Sequence, residues 1–507
     1  MSQIADSAVV LSNDDIADGA ELLMHNCEDC ACAVSGQPAA ATVPGVTVAE
    51  ALADDRAWAS GPEVLEIRLD SEHTLLFNPV GDGSPAVLNQ AAYDIFSRFK
   101  APASLRDIVA AHEDEDAGAS DVRPTFARLR QLSLISPDGL PAAPAFADSS
   151  VLTAWLHVTN ACNLRCPYCY VHKSPEGMDE ATGTAAVEAI VASAVRHGLT
   201  GVKLKYAGGE ASLNHRLMVA LHRLARERTA EHGLRLDATL LTNGVALPGS
   251  LIETLAAEGI RVMISLDGIG EQHDRQRPTI NGRPSFPLVE RTIAKLAKRG
   301  LAPHLSITIT NRNAEGLADV VRFALDRDLT FSLNLFRDND CAASFADLQY
   351  GEQAMIEAML GAFGVIEERL PRWSVLGAVL DRGQLLERRQ RSCGVGQDYV
   401  VIDQRGAVAK CHMEIERTLG DVFADDPLQL VRADRSSALN LAVEEKEGCR
   451  SCAWRYSCSG GCTVATFRAT GRYDVKSPNC NIYKAIYPAA LRLEGLRLLK
   501  YATPAPR

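Results

Sequence analysis

At 507 residues, 47% hydrophobic and 23% charged, the chain has ordinary globular composition and the length for two to four domains around a large core. Its formal net charge of −12 argues against nucleic-acid binding as the main business. No apolar run approaches a membrane span, and the opening "MSQIADSAVVLSNDD" lacks a basic stretch followed by an apolar one. Neither a membrane partner nor a secretory route is therefore expected, and the reducing cytoplasm is the default.

In that compartment fourteen cysteines point to metal ligation rather than disulfides. Residues 1–60 are rich in Ala, Asp, Ser and Gly without periodicity, and are expected to be a poorly ordered extension. Its "CEDCAC" (Cys27, Cys30, Cys32) fits an exposed cysteine cluster better than a further metal site. In residues 61–140, "VLEIRLD" alternates Leu65, Ile67 and Leu69 as a strand, and "HTLLFNP" can pair with it. "AVLNQAAYDIFSRF" carries a helical stripe of Leu88, Ala92, Ile95 and Phe99. A short helix follows with Ser104 as N-cap, then another with Phe126, Leu129 and Leu132 inward. Two strands and three helices make a winged-helix-like α+β module.

Residues 151–370 alternate strand and helix six times. The strands are "AWLHVTN", "GVKLKYAGG", "RLDATLLTNG", "RVMISLDG", "PHLSITITN" and "TFSLNLFR". Helices between them end at Gly198, Gly233, Gly259 and Gly300. The alternation predicts an α/β fold with a parallel sheet, a partial (βα)6 TIM-like barrel whose chemistry sits at the C-terminal strand ends. Residues 371–485 are cysteine-rich, and 486–507 form a C-terminal helix and tail.

Just after the first barrel strand, "NACNLRCPYCYVHK" places Cys162, Cys166 and Cys169 three and then two residues apart. With His172 they could bind zinc. Alternatively, three thiolates could hold an iron–sulfur cluster with one iron open. The C-terminal cysteines Cys393, Cys411, Cys449, Cys452, Cys458, Cys462 and Cys480 pose the same choice between a double zinc ribbon and iron–sulfur clusters.

The CxxxCxxC stretch resembles the radical S-adenosylmethionine (SAM) superfamily. The seven C-terminal cysteines resemble its SPASM domain. The resemblance implies three 4Fe–4S clusters: a SAM-binding one on Cys162, Cys166 and Cys169, and two auxiliary ones. Of these, Cys449, Cys452, Cys458 and Cys480 would close one, while Cys393, Cys411 and Cys462 leave the other a ligand short. It implies SAM contacts from Tyr168 (adenine), from Gly208 and Gly209 (close backbone approach), from Glu210 (the methionine ammonium), and from Ser265 and Arg277 (carboxylate and ribose). Asp267, Thr242 and Asn243 lie on the same rim, the last two being equally plausible as a polar strand cap. His273 and Asp274 fit a charged surface helix as well as a site. Ala211 stands where the family usually has Pro.

The first module resembles the recognition element of enzymes that modify ribosomally made peptides, binding a leader by strand addition. An unrelated winged-helix module is the alternative. The expected function is modification of a precursor peptide, most simply a C–C or C–S cross-link begun by hydrogen abstraction, with flavodoxin or ferredoxin as electron donor. A sulfatase-type maturase that makes formylglycine competes with it, as does a non-catalytic peptide-binding electron-transfer protein.

Overall fold

The computed structural model describes residues 7–16, 51–52, 56–114, 119–139, 144, 146 and 149–503. Cys27, Cys30 and Cys32 lie outside the described residues.

The strands in chain order are β1 (Val10–Leu11), β2 (Ala57–Ala59), β3 (Leu65–Arg68), β4 (His73–Phe77), β5 (Ala86–Asn89), β6 (Ala103–Ser104) and β7 (Ser136–Pro137). They continue with β8 (Val151–His157), β9 (Gly201–Ala207), β10 (Arg235–Thr242), β11 (Arg261–Ser265), β12 (His304–Ile309) and β13 (Phe331–Leu335). The last three are β14 (Tyr399–Ile402), β15 (Ala407–Ala409) and β16 (Thr418–Asp421). They form a nine-stranded sheet, a four-stranded sheet in the order β1-β5-β4-β3, and a small sheet β6-β2-β7.

The nine-stranded sheet runs β13-β12-β11-β10-β9-β8-β14-β15-β16. Strands β8 to β13 are all parallel, each beside its sequence neighbour. Six consecutive strand–helix alternations produce this order because each amphipathic helix must return across one face of the sheet. Helix Phe286–Ala297 shows the logic: Val289, Ile293 and Leu296 are buried on one stripe. The four glycines that follow the crossover helices, Gly198, Gly233, Gly259 and Gly300, all have φ between 65° and 71°, the left-handed conformation that frees a helix end.

Strand β14 adds to β8 in parallel, pairing Tyr399 with Thr153. The cysteine-rich segment thus extends the same sheet as the strand–helix repeats.

One expectation is corrected. Residues 7–16 and 56–60 are not an irregular extension. Val10 pairs with Leu88 and Leu11 with Val87, antiparallel on the edge of β5, and Ala57–Ala59 is β2. A strand of two residues is too short to show a period of two, so composition hid it.

The first module's sheet is buried on both faces. Leu76, Ala86 and Leu88 join the module's own core with Phe96, Phe99 and Phe126. Their neighbours Leu75, Phe77 and Val87 join the main core with Leu491 and Leu498 of the C-terminal helix Cys480–Tyr501. Side chains alternate across a strand, so one sheet serves two cores. At Gly495 of that helix an added Cβ would meet Leu69 and Leu75 methyls at 2.8–3.0 Å, so the absence of a side chain sets the depth of docking.

Arg388 locks the module to the cysteine-rich segment. Its buried guanidinium donates to the carbonyls of Gly81 (2.6 Å), Asn78 (2.9 Å), Gly83 (3.1 Å) and Leu385 (3.2 Å). It also stands over the Phe77 ring at 4.7 Å. Burial pulls its pKa down to about 10, yet it stays charged at neutral pH. Removing it strands several carbonyls. We expect Arg388→Leu to cost roughly 3 kcal/mol, since an orphaned buried acceptor costs about 1–3 kcal/mol. Urea unfolding measures this; an unchanged midpoint would show that the lock carries no stability.

Candidate functional site

The loop after β8 is built against the turn after β9. Gly209 N donates to Thr159 O (2.7 Å) and Glu210 N to Ala161 O (2.8 Å). A Cβ at Gly208 would lie 2.5 Å from Thr159 O, and one at Gly209 would lie 2.4 Å from Ala161 O. Both glycines therefore serve close backbone packing against the cysteine loop.

Glu210 is buried at 2% exposure and organises the neighbouring strand ends. It accepts from Ser212 N (3.1 Å), Thr242 Oγ1 (2.7 Å) and Asn243 N (2.7 Å). Asn243 Nδ2 in turn donates to Asn163 Oδ1 at 2.7 Å and stands 3.9 Å from Cys162 Sγ. The ends of β9 and β10 thus reach the first cysteine through one hydrogen-bonded chain.

A second chain comes from β11. Asp267 accepts from Arg277 Nε at 2.7 Å and from the Tyr168 hydroxyl. Its other oxygen takes Thr308 N at 2.9 Å. Arg277 stands 5.4 Å from the Tyr168 ring centre. Burial pushes the Tyr168 hydroxyl well above its ordinary range, against the pull of Arg277, so it stays a donor. Ser265 ends β11 half-buried.

His273 and Asp274 are not surface charges. The fully buried His273 ring accepts from Asp267 N at 3.2 Å. Asp274 Oδ1 accepts from Ser285 N (2.7 Å) and Phe286 N (2.8 Å), capping the helix that begins at Phe286. The sequence carried no sign of burial here because the helix Glu271–Gln276 is short and almost wholly polar.

Several of the cysteines expected to hold clusters are electrostatic neighbours. Cys162, Cys166 and Cys169 lie close enough to act on one another electrostatically. Cys411 is coupled to Cys462 and Cys393. Cys449 is coupled to Cys480 and Cys452, and Cys458 to Cys449 and Cys480. Burial pushes Cys166 and Cys458 up to about 12 and raises Cys411 too. Cys462 is the exception. Burial raises it, but Arg337 and Arg382 more than offset that and its pKa falls below the ordinary thiol value.

The turn Ser459–Gly461 sends Cys458 and Cys462 into different groups. All three residues have positive φ, at 51°, 77° and 69°. Buried Lys446 lies between the groups, its field acting with Cys449, Cys393, Cys458 and Cys462, and its Nζ donates to Ser459 O at 3.1 Å.

Among the described residues no three His, Cys, Asp or Glu side chains converge tightly enough to hold a single metal ion. His172, the fourth ligand of the zinc alternative, has Cys341 Sγ at 3.5 Å and Glu416 at 3.7 Å as its partners. All-thiol sets of three suit iron–sulfur clusters, and a set of four cysteines suits zinc as well.

Sequence reasoning missed two neighbours of the first set. Lys173 Nζ lies 2.9 Å from Cys169 Sγ. Cys341 is placed against Tyr170 O and His172. Lys173 sits within the motif stretch, where a lysine four residues after a cysteine was a readable signal; Cys341 had none.

Residues 156–324 match the Radical SAM superfamily model. The sporulation killing factor maturation protein SkfB of Bacillus subtilis is 28% identical over 174 residues, 34% of this chain and 38% of SkfB. Matches confined to about a third of this chain cover 38–57% of the relative's own length. The PqqA peptide cyclase of Xanthomonas oryzae pv. oryzae is 25% identical over 369 residues, 70% of this chain and 93% of the cyclase. Among solved structures, native anSMEcpe with bound AdoMet and Cp18Cys peptide superposes with a TM-score of 0.56 at 19% identity, covering 69% of this chain and 99% of that one. That likeness is one of fold.

Two buried histidines beside the site give it a pH signature. Burial holds His157 and His273 near a pKa of about 4, against about 6.5 unfolded. The unfolded chain therefore binds more protons between these values. The stability tied to the neutral rings is fully present above about pH 6.5 and is lost as pH falls towards 4. Urea midpoints should drop across that window, and less so in a His157→Asn/His273→Asn variant. An equal drop in both proteins would remove the histidines from the cause.

Proposed function

With residues 156–324 read as a radical SAM domain, we propose that the chain is a radical SAM peptide-modifying enzyme. In this reading it carries three 4Fe–4S clusters and a peptide-binding module ahead of the catalytic sheet. The observation that carries it is the grouping of ten cysteines into sets of three, three and four. The first set lies at the C-terminal end of β8, beside Glu210, Tyr168 and Arg277. SkfB and the PqqA cyclase, one named for peptide maturation and the other for peptide cyclisation, support the substrate class.

Bound there, the cluster and SAM supply one-electron reduction of a sulfonium and, from it, a hydrogen-abstracting 5′-deoxyadenosyl group. The chain's residues do the rest. Cys162, Cys166 and Cys169 hold three irons. Glu210, held by three hydrogen bonds, would take the methionine ammonium. The Tyr168–Asp267–Arg277 chain fixes a flat ring and a cation on the adenosyl side. Thr242 and Asn243 hold Glu210 and the cysteine loop in register. Gly208 and Gly209 seat that loop. Cys449, Cys452, Cys458 and Cys480 close one auxiliary cluster. Cys393, Cys411 and Cys462 leave the other a ligand short, beside the cations Arg337 and Arg382. An oxidative cross-link must dispose of one substrate electron, and auxiliary clusters suit that role.

The domain reading follows: 61–140 recognises peptide in a winged-helix-like fold, 151–370 is the partial barrel, 371–485 the SPASM domain and 486–507 the closing helix and tail. Flavodoxin or ferredoxin in the cytoplasm is the proposed donor. No described helix is long and apolar enough to cross a membrane. Formylglycine formation on a sulfatase shares the barrel and cysteines; the module of residues 56–139 favours peptide maturation.

Replacing Cys162, Cys166 and Cys169 by Ala should abolish 5′-deoxyadenosine formation after reduction. Iron should fall by about a third, from about twelve atoms per chain, since the auxiliary sets are untouched. SAM cleavage surviving in this variant would refute the assignment.

A further inference from the structure

Residues 7–16 lie on the first module as a peptide ligand would. β1 extends the sheet at β5. Val9 N donates to Asn89 Oδ1 at 2.9 Å, Asn89 N to Val9 O at 3.1 Å, and Asn89 Nδ2 to Ser7 O at 2.8 Å. The helix Ala119–Gln131 closes the other side, with Asp121 and Arg128 about two turns apart on one face. Asp121 accepts from Ala8 N at 2.7 Å. Arg128 pairs with Asp14 and Asp15, each at 3.2 Å, and donates to the Ser12 hydroxyl. Main-chain pairing on a sheet edge with side-chain contacts from a flanking helix is the geometry of strand addition.

These contacts are of two kinds. Asn89 and Asp121 touch main chain alone, so they hold any extended peptide. Selectivity falls to the stretch "LSNDDI": Leu11 and Ile16 are buried in the main core, and Arg128 faces the acidic pair between them. The segment is also exchangeable. β1 is two residues long, and the module's own core closes on Phe96, Phe99 and Phe126. The cations that hold the segment have other partners: Arg128 donates to Gln131 Oε1 at 2.9 Å, and Arg497, which donates to Asn13 Oδ1, also reaches Glu494 at 2.7 Å and Arg372 O at 2.6 Å. The fit is imperfect as well. Asn13 Nδ2 is buried and has no hydrogen-bond partner among the described residues, an unmet donor that weakens the segment's hold.

We propose that residues 7–16 are an autoinhibitory strand, holding the module's peptide-binding edge closed until a precursor peptide with the same acidic pattern displaces them. This rests on the peptide-modifying reading and names what opens its recognition edge. Being part of the chain, the strand competes at an effective concentration on the order of 1 mM. A peptide that offers main chain alone is therefore shut out. One that also brings an apolar residue, an acidic pair and a second apolar residue at the spacing of Leu11, Asp14, Asp15 and Ile16 fills the same slots, meets Arg128 and takes the edge.

The test is fluorescence anisotropy with a labelled synthetic peptide, SAVVLSNDDI, the sequence of residues 7–16, titrated with the full-length protein. An Asp14→Lys/Asp15→Lys variant, whose own strand is repelled by Arg128, should bind this peptide at least ten-fold more tightly than the unaltered chain. An Arg128→Glu variant should reverse the preference, binding a peptide with lysines in place of both aspartates at least ten-fold more tightly than the original. Equal affinity of the unaltered chain and the Asp14→Lys/Asp15→Lys variant overturns the autoinhibitory strand. An unchanged preference in Arg128→Glu overturns the acidic pattern. Release of 5′-deoxyadenosine by the same reduced proteins separates this inference from the reading beneath it. Release with no peptide bound by any variant overturns the strand and leaves the radical reading standing, whereas peptide binding as expected without release supports the strand and overturns the radical reading.

Discussion

The contact between two pieces of main chain, the turn after β9 and the loop after β8, is what the rest of the site depends on. Gly208 and Gly209 bring the second strand's end within Cβ distance of Thr159, Asn160 and Ala161. That contact fixes the start of the cysteine loop and leaves Glu210 buried beside it. Glu210 then ties down Thr242 and Asn243, and Asn243 reaches back to Asn163 and Cys162. A loop carrying three thiols would otherwise be free to wander, and ordering it costs about 1–2 kcal/mol per residue in backbone entropy. Backbone hydrogen bonds and a satisfied buried carboxylate meet that cost before any metal arrives.

The same economy shapes the whole molecule. The nine-stranded sheet runs without a break from the strand–helix repeats into the cysteine-rich segment through β8 and β14. The N-terminal module, with a core of its own, lends its second sheet face to the main core. Trp454, between Cys452 and Cys458, lies 6.4 Å from the Phe77 ring and 5.1 Å from the Tyr487 ring. A cysteine-bearing turn is thus packed against the module and the C-terminal helix together.

Much of this was legible in the sequence. Six strands and their helices showed their periods, and the cysteine spacings separated three sets. The glycine turn and Glu210 were visible as residues, but what they pack against was not. Gly209's neighbours lie about fifty positions earlier in the chain, and no local pattern encodes that. His273 looked like a surface residue because its helix is polar, and its burial comes from Phe286 and Asp267. β1 was invisible because two residues have no period. Arg388 was invisible because one of the three arginines in "ERRQR" reads as solvated until four carbonyls are seen around it.

The central claim is that the reduced enzyme takes a carbon-bound hydrogen from peptide. The most direct measurement is the deuterium content of 5′-deoxyadenosine made by the reduced enzyme on a perdeuterated precursor peptide, with unlabelled SAM in ordinary water. The account predicts 5′-deoxyadenosine one mass unit heavier, its hydrogen drawn from the peptide. Turnover that yields only unlabelled 5′-deoxyadenosine would contradict it.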